Sequence, residues 1–143
     1  MKIELSLSPS EKDIATIYKG LRAFNLPNFP DDINEQNFAL FVRNENKQII
    51  GGMTGTFILT SLSIKYLWLD ESIRGSGIGS ELVTRIEAEA IERGVNNIYL
   101  DTFSFQAPKF YEQLGFKEVG RYTDYLIAGV DRIFYQKKII LII

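Results

Sequence analysis

Apolar positions along this chain change their period several times, and each change marks an element. Ile3-Glu4-Leu5-Ser6-Leu7 alternates, which predicts a strand. Ser10 precedes Glu11-Lys12-Asp13, the pattern of an N-cap with acids in the first helical turn. Ile14, Ile17, Tyr18 and Leu21 continue at helical spacing to about Phe24. Asn25–Asp32 reads as a loop, with two prolines and the aromatic Phe29. Phe38–Val42 predicts a strand, Asn44–Lys47 a polar hairpin turn and Ile49–Leu59 the returning strand. Gly51, Gly52 and Gly55 mark bulges or close backbone approach in it. Leu62–Leu69, the fourth strand, carries no charge after Lys65 until Asp70, which predicts a central place in a sheet. Ile78, Leu82, Ile86 and Ala90 recur every four residues, with Val83 and Ile91 beside them. This predicts a helix from Ile78 to Arg93, closed by Gly94, with Glu81–Arg85 and Glu89–Arg93 as i,i+4 pairs. Asn97–Asp101 is a fifth strand and Gln106–Leu114 a short helix stopped by Gly115. Phe116–Tyr125 and Arg132–Ile142 are two closing strands. The order β-α-β-β-β-α-β-α-β-β predicts an α/β fold with a sheet of about seven strands and mixed direction, in one domain, residues 1–143.

The stretch Arg74-Gly75-Ser76-Gly77-Ile78-Gly79 stands between the apolar run Tyr66-Leu67-Trp68-Leu69 and the best-patterned helix. A glycine turn that opens a helix presents unpaired backbone N–H groups, and the helix dipole adds positive potential there. Such a turn suits a phosphate or pyrophosphate. A Walker A loop needs Gly-Lys-Ser/Thr, and no Lys is present. A dinucleotide fingerprint needs a third Gly where Ser80 stands. The pattern that fits is Arg-x-x-Gly-x-Gly, at Arg74, Gly77 and Gly79.

Composition narrows the chemistry. The chain has 143 residues, 45% of them hydrophobic, and a net charge of −2 with acids and bases mixed along it. No basic block points to nucleic acid or an anionic membrane. There is no Cys and no His. A Cys nucleophile, a His base and a His/Cys metal site are therefore excluded, and no metal is expected. Proton transfer is left to Asp, Glu, Tyr, Lys, a terminus or water. Met1-Lys2-Ile3-Glu4 lacks a signal-peptide apolar region, and the longest apolar run is Ile139–Ile143, so a cytoplasmic protein is expected. That apolar end also predicts a homodimer edge, against the competing explanation of burial inside the sheet.

Phe110-Tyr111-Glu112-Gln113-Leu114-Gly115-Phe116 lies downstream of the glycine turn. The two segments together resemble the pyrophosphate loop and the Phe-Tyr-x-x-x-Gly-Phe motif of the GNAT N-acetyltransferases. The resemblance spans nearly the whole chain, is sharp from Trp68 to Phe116 and is weak before residue 38. Leu100–Ala107 is similar to a bacterial subgroup with a TFSFQA-like segment. The resemblance implies a mixed, largely antiparallel sheet splayed between the fourth and fifth strands. It also implies acetyl-CoA as co-substrate and a small-molecule or peptide amine as acceptor. The implied cofactor contacts are Leu67, Trp68 and Leu69, then Arg74, Gly75, Ser76, Gly77, Ile78, Gly79 and Ser80, then Thr102, Ser104, Ala107 and Tyr111. Ser104 stands where many members carry Asn, and Gly129-Val130 where the subgroup often has Gly-His. Tyr111 would be the general acid, or otherwise a core aromatic.

No base stands out. Asp70 and Glu71 read as turn acids. Asp101 ends a strand, where ligand sites gather in open α/β sheets. Asp124 sits with Tyr122 and Tyr125. A water chain rivals them all. Phe24, Asn25, Phe29 and Tyr122 are candidates for the acceptor site. Two other functions remain open from sequence: a non-catalytic acyl-CoA sensor on the same fold, and a nucleotide-phosphate binder unrelated to CoA.

Overall fold

The computed structural model describes residues 1–31 and 33–139. It forms two units, Met1–Ile33 and Asn34–Ile143. The first holds α1 (Glu11–Asn25) and a 3₁₀ turn, Leu26–Asn28. Ser10 caps α1 by accepting from the Asp13 N–H at 3.1 Å, as its position predicts. The strand expected at Ile3–Leu7 does not form. Alternation makes a strand only when a neighbour takes its backbone, and no ladder among the described residues includes this segment. Asp32, the end of the expected loop, lies outside the described residues.

The second unit is built on β1 (Glu35–Arg43), β2 (Ile49–Ile58), β3 (Ser61–Leu69), α2 (Ile78–Glu92), β4 (Asn97–Phe103), α3 (Pro108–Gln113), β5 (Lys117–Tyr122) and β6 (Arg132–Lys138). The six strands form one sheet in the order β1-β2-β3-β4-β6-β5. Only β3 and β4 run parallel to each other; the other neighbours are antiparallel. β6 lies between β4 and β5, so the described part of the terminal strand is interior and cannot be a sheet edge. Of the expected apolar end, Ile140–Ile143 lie outside the described residues. No described helix is long and apolar enough to cross a membrane.

The core forms where one face of the sheet meets α2. Met53, Phe57, Leu62, Ile64, Ile98, Leu100, Ile133 and Tyr135 come from the strands. Leu82, Val83, Ile86 and Ala90 come from the apolar stripe of α2. Burying a side chain such as Ile86 contributes about 1.5–3 kcal/mol. The helix ends in a Schellman cap: Gly94 takes φ +74°, its N–H donates to the Ile91 carbonyl at 3.1 Å, and the Val95 N–H donates to that of Ala90 at 2.9 Å. Of the two predicted surface pairs only Glu89–Arg93 closes, at 3.8 Å, and Arg93 also lies over the Phe57 ring.

Two irregularities open the sheet. β3 and β4 pair only at Ser61–Ser63 with Asn97–Tyr99. Beyond that they diverge, while β3 stays paired to β2 as far as Leu69 and β4 to β6 as far as Phe103. These are the fourth and fifth strands of the sequence, and the splay expected between them is present. The register of β2 against β3 shifts at the same level: Thr54 faces Tyr66 but Gly55 faces Ile64, leaving Lys65 as the extra residue. A bulge bends and twists its strand, here where β3 leaves β4.

Gly55 makes the bulge possible. A Cβ there would lie 2.2 Å from the Ser63 carbonyl oxygen and 2.6 Å from the Phe38 ring. Gly55→Ala should therefore destabilise by about 1–3 kcal/mol or force the strands apart. Urea denaturation of the variant checks this, and an unchanged midpoint would contradict the close packing.

Candidate functional site

The splay holds a cleft of about 1040 Å³. Its walls are β3 from Ile64 to Leu69, the turn and first residues of α2, the end of β4, and α3. Of the residues expected there, Leu67, Trp68, Leu69, Arg74, Gly75, Gly77, Gly79, Ser80, Asp101, Thr102, Ala107 and Tyr111 line it.

The glycine turn is built locally. Asp70 caps the 3₁₀ turn Glu71–Ile73 by accepting from the Ser72 N–H at 3.0 Å and from the Ser72 hydroxyl. These bonds hold the Asp70 carboxyl below its usual range, so Asp70 is a turn acid. The Ser76 hydroxyl donates to the Ile73 carbonyl at 2.5 Å, which commits this side chain to the turn. Arg74 Nε donates to the Leu69 carbonyl at 3.0 Å and so ties the turn to the end of β3. Gly75 and Gly77 take φ +74° and +88°. These values orient the chain so that no N–H from Gly75 to Ser80 has an acceptor among the described residues. Six consecutive amides at a helix N-terminus make a nest for an anion. Gly79 allows a different close approach: a Cβ there would stand 3.1 Å from Phe110.

Across the cleft, α3 carries Tyr111. The motif Phe110–Phe116 is a second Schellman cap. Gly115 takes φ +93°, its N–H donates to the Glu112 carbonyl, and the Phe116 N–H donates to that of Tyr111, each at 3.1 Å. The cap brings Phe116 edge-on to the Tyr111 ring, with centroids 5.9 Å apart. Lys137 of β6 donates to the Leu114 carbonyl at 2.6 Å and to Glu87 of α2 at 2.8 Å, which pins the end of α3. Tyr111 is therefore held rigidly, 9% exposed. Its hydroxyl makes no hydrogen bond with the described residues. Burial, and then the nearby Asp101 carboxylate, push the phenol up to about 12, so it stays protonated throughout neutral pH.

Asp101 also lines the cleft. Its Oδ1 accepts from Arg132 Nε at 2.9 Å, and Oδ2 has no partner among the described residues. The other sequence candidates lie elsewhere. Asp124 does not line the cleft. It takes φ +51° and its Oδ1 accepts from the Gly129 N–H at 2.7 Å, closing the β5–β6 loop. Ser104 is also outside the lining: its hydroxyl accepts from the Asp131 N–H at 2.9 Å and joins the same loop to β4. Thr102 lines the cleft but donates to Gln106 Oε1 at 2.9 Å, so its hydroxyl holds a turn. Tyr122 ends β5 and packs on Tyr125 and Phe134. Ile78 and Ser76 are not among the lining residues. Phe24, Asn25 and Phe29 belong to the first unit. Sequence reasoning missed Ile64, Lys65, Tyr66, Leu100, Phe105, Gln106 and Phe110 on the cleft wall. Leu100, Phe105 and Gln106 had a signal, since they fall inside the segment Leu100–Ala107 that the resemblance singled out.

Comparison with known proteins fits this geometry. A sequence model of the acetyltransferase (GNAT) family matches residues 10–116. The crystal structure of an acetyltransferase from Bacillus cereus is similar over 95% of this chain and 98% of its own, with a TM-score of 0.87 and 35% identity. An acetyltransferase of Agrobacterium fabrum is 32% identical over 100 residues, 70% of this chain and 72% of its own. Blasticidin-S acetyltransferase of Streptomyces morookaense is 35% identical over 89 residues, 62% of this chain, and the match spans 65% of that protein's length. With a family match across most of its length and a fold shared almost end to end, this chain belongs to the acetyltransferase (GNAT) family.

Proposed function

We propose that this protein transfers the acetyl group of acetyl-CoA directly to a primary amine in a ternary complex. The observation that supports this most is the run of unpartnered amides Gly75–Ser80 at one wall of an open cleft whose opposite wall carries the free Tyr111 hydroxyl. The amides, with Arg74, would hold the pyrophosphate. The edge of β3 facing β4 at Leu67–Leu69, where no described strand pairs and only the Leu69 carbonyl is taken, by Arg74, would take the pantetheine arm, as an added strand does, and a backbone N–H there would polarise the acetyl carbonyl. Trp68, Ser80 and Ala107 would shape the channel.

In the reaction the amine nitrogen attacks the carbonyl carbon of the thioester. A C–N bond forms, the C–S bond breaks, and the sulfur leaves with the electron pair. Tyr111 donates its hydroxyl proton to that sulfur. The proton lost by the amine leaves through Asp101 or water, and solvent reprotonates the phenolate. A phenol near 12 is a weak acid beside an ordinary thiol near 8–9. Burial next to the phenol also disfavours a charged thiolate, which moves the thiol in the same direction. Before transfer is complete, the neutral phenol already stabilises the developing thiolate as a fixed donor.

The test is amine-dependent release of CoA thiol from acetyl-CoA by the full chain across a broad amine panel. Release with at least one amine is expected. Tight acetyl-CoA binding without release by any amine would favour a sensor, and no binding would overturn the reading.

A further inference from the structure

We propose, resting on the acetyl-CoA:amine reading above, that the acceptor is an arylalkylamine whose ring stacks on Phe105 and whose ammonium meets Asp101. Phe105 lines the cleft and is 70% exposed, so its ring is open to a ligand there. It is held in place by its turn. The Gln106 N–H donates to the Phe103 carbonyl at 3.0 Å, and Gln106 Oε1 accepts from the Thr102 hydroxyl at 2.9 Å and the Phe103 N–H at 2.8 Å. One face of the Phe105 ring stacks on Phe103, with centroids 5.3 Å apart and planes 12° apart, so the other face is free for a flat ligand. Tyr125 supports Phe103 from behind at 6.1 Å.

Charge divides the cleft in the same sense. Among the described residues its charged lining is Lys65, Arg74 and Asp101. Arg74 and the amide nest repel an ammonium group from the phosphate side, while Asp101 Oδ2, without a partner among the described residues, is free to accept from it. Arg132 binds the carboxylate and the aromatic row into one assembly, with Nε 2.9 Å from Asp101 and its guanidinium 5.5 Å from the Tyr125 ring centre. A ligand that carries both a ring and an ammonium group satisfies both features.

Steady-state kinetics of the full chain with acetyl-CoA would compare 2-phenylethylamine with n-butylamine. A kcat/KM ratio of about tenfold or more in favour of the aryl amine is expected. Phe105→Ala should bring the ratio close to one, Phe105→Tyr should retain it, and calorimetry should show acetyl-CoA affinity unchanged in both variants. A ratio near one in the parent, a ratio that survives Phe105→Ala, or a loss of acetyl-CoA affinity in that variant would each overturn the inference. If acetyl-CoA binds but neither amine is acetylated, the acceptor inference fails and the acetyl-CoA reading stands. If acetyl-CoA does not bind, both fall.

Discussion

Tyr111→Phe should lower kcat by roughly 10²-fold or more, the usual scale for a positioned acid, and leave acetyl-CoA affinity nearly unchanged. The ring keeps its edge contacts with Phe110 and Phe116, at 5.1 and 5.9 Å, so packing is preserved. The lost hydroxyl has no partner among the described residues, so no internal acceptor is orphaned by its removal. On the proposed mechanism, what disappears is the proton donor to the leaving sulfur. The pH profile separates this role further. The donating form is the protonated phenol, and its folded value is raised to about 12, so donation is lost only as pH climbs through that region. An ordinary phenol would start to fail near 10. Hence kcat/KM of the parent should show no falling limb from this residue up to about pH 10. Near-normal kcat in the Phe variant would make Tyr111 a core aromatic and nothing more.

Gly77→Val should weaken acetyl-CoA binding by about 10²-fold or more, the scale of losing two charge-assisted hydrogen bonds. Gly77 sits at φ +88°, where a β-branched residue is an outlier, so relief of that strain turns the neighbouring amides away. A Cβ at this position meets nothing within 4 Å, so the protein has room to stay folded while the anion nest is lost. Gly94→Val is the control. It carries similar strain, φ +74° with open space around it, at the other end of α2. It should lower stability and leave affinity unchanged. Isothermal titration of both variants decides the matter; equal affinities for the two would remove the pyrophosphate role from the turn.

Local signals in the sequence carried far. The stripe of α2, its end at Gly94, the N-cap at Ser10 and the glycine turn all rest on interactions within a few residues, and the structure contains each of them. Signals that need a distant partner did not carry. The alternation at Ile3–Leu7 could not reveal that no strand pairs with it. Glycines in β2 pointed to a bulge, but its extra residue, Lys65, depends on the register between two strands. Asp124 stands out in the sequence beside Tyr122 and Tyr125, and Ser104 through the resemblance. Their hydrogen bonds with Gly129 and Asp131, outside the cleft lining, come from contacts with the β5–β6 loop that spacing does not show. Conversely, the tie between Asp101 and Arg132 spans 31 positions and has no trace in spacing.

By itself, then, the sequence determined the family, the secondary structure from β1 onward and the two motifs on either side of the cleft, because caps, turns and periodicity are written in neighbouring residues. The tertiary structure alone decided which acids belong to the cleft, that the phenol is buried and unpartnered, and that Phe105 stands exposed on its wall. Those properties come from desolvation and from contacts between elements far apart in the chain, and they exist only once β3 and β4 have parted.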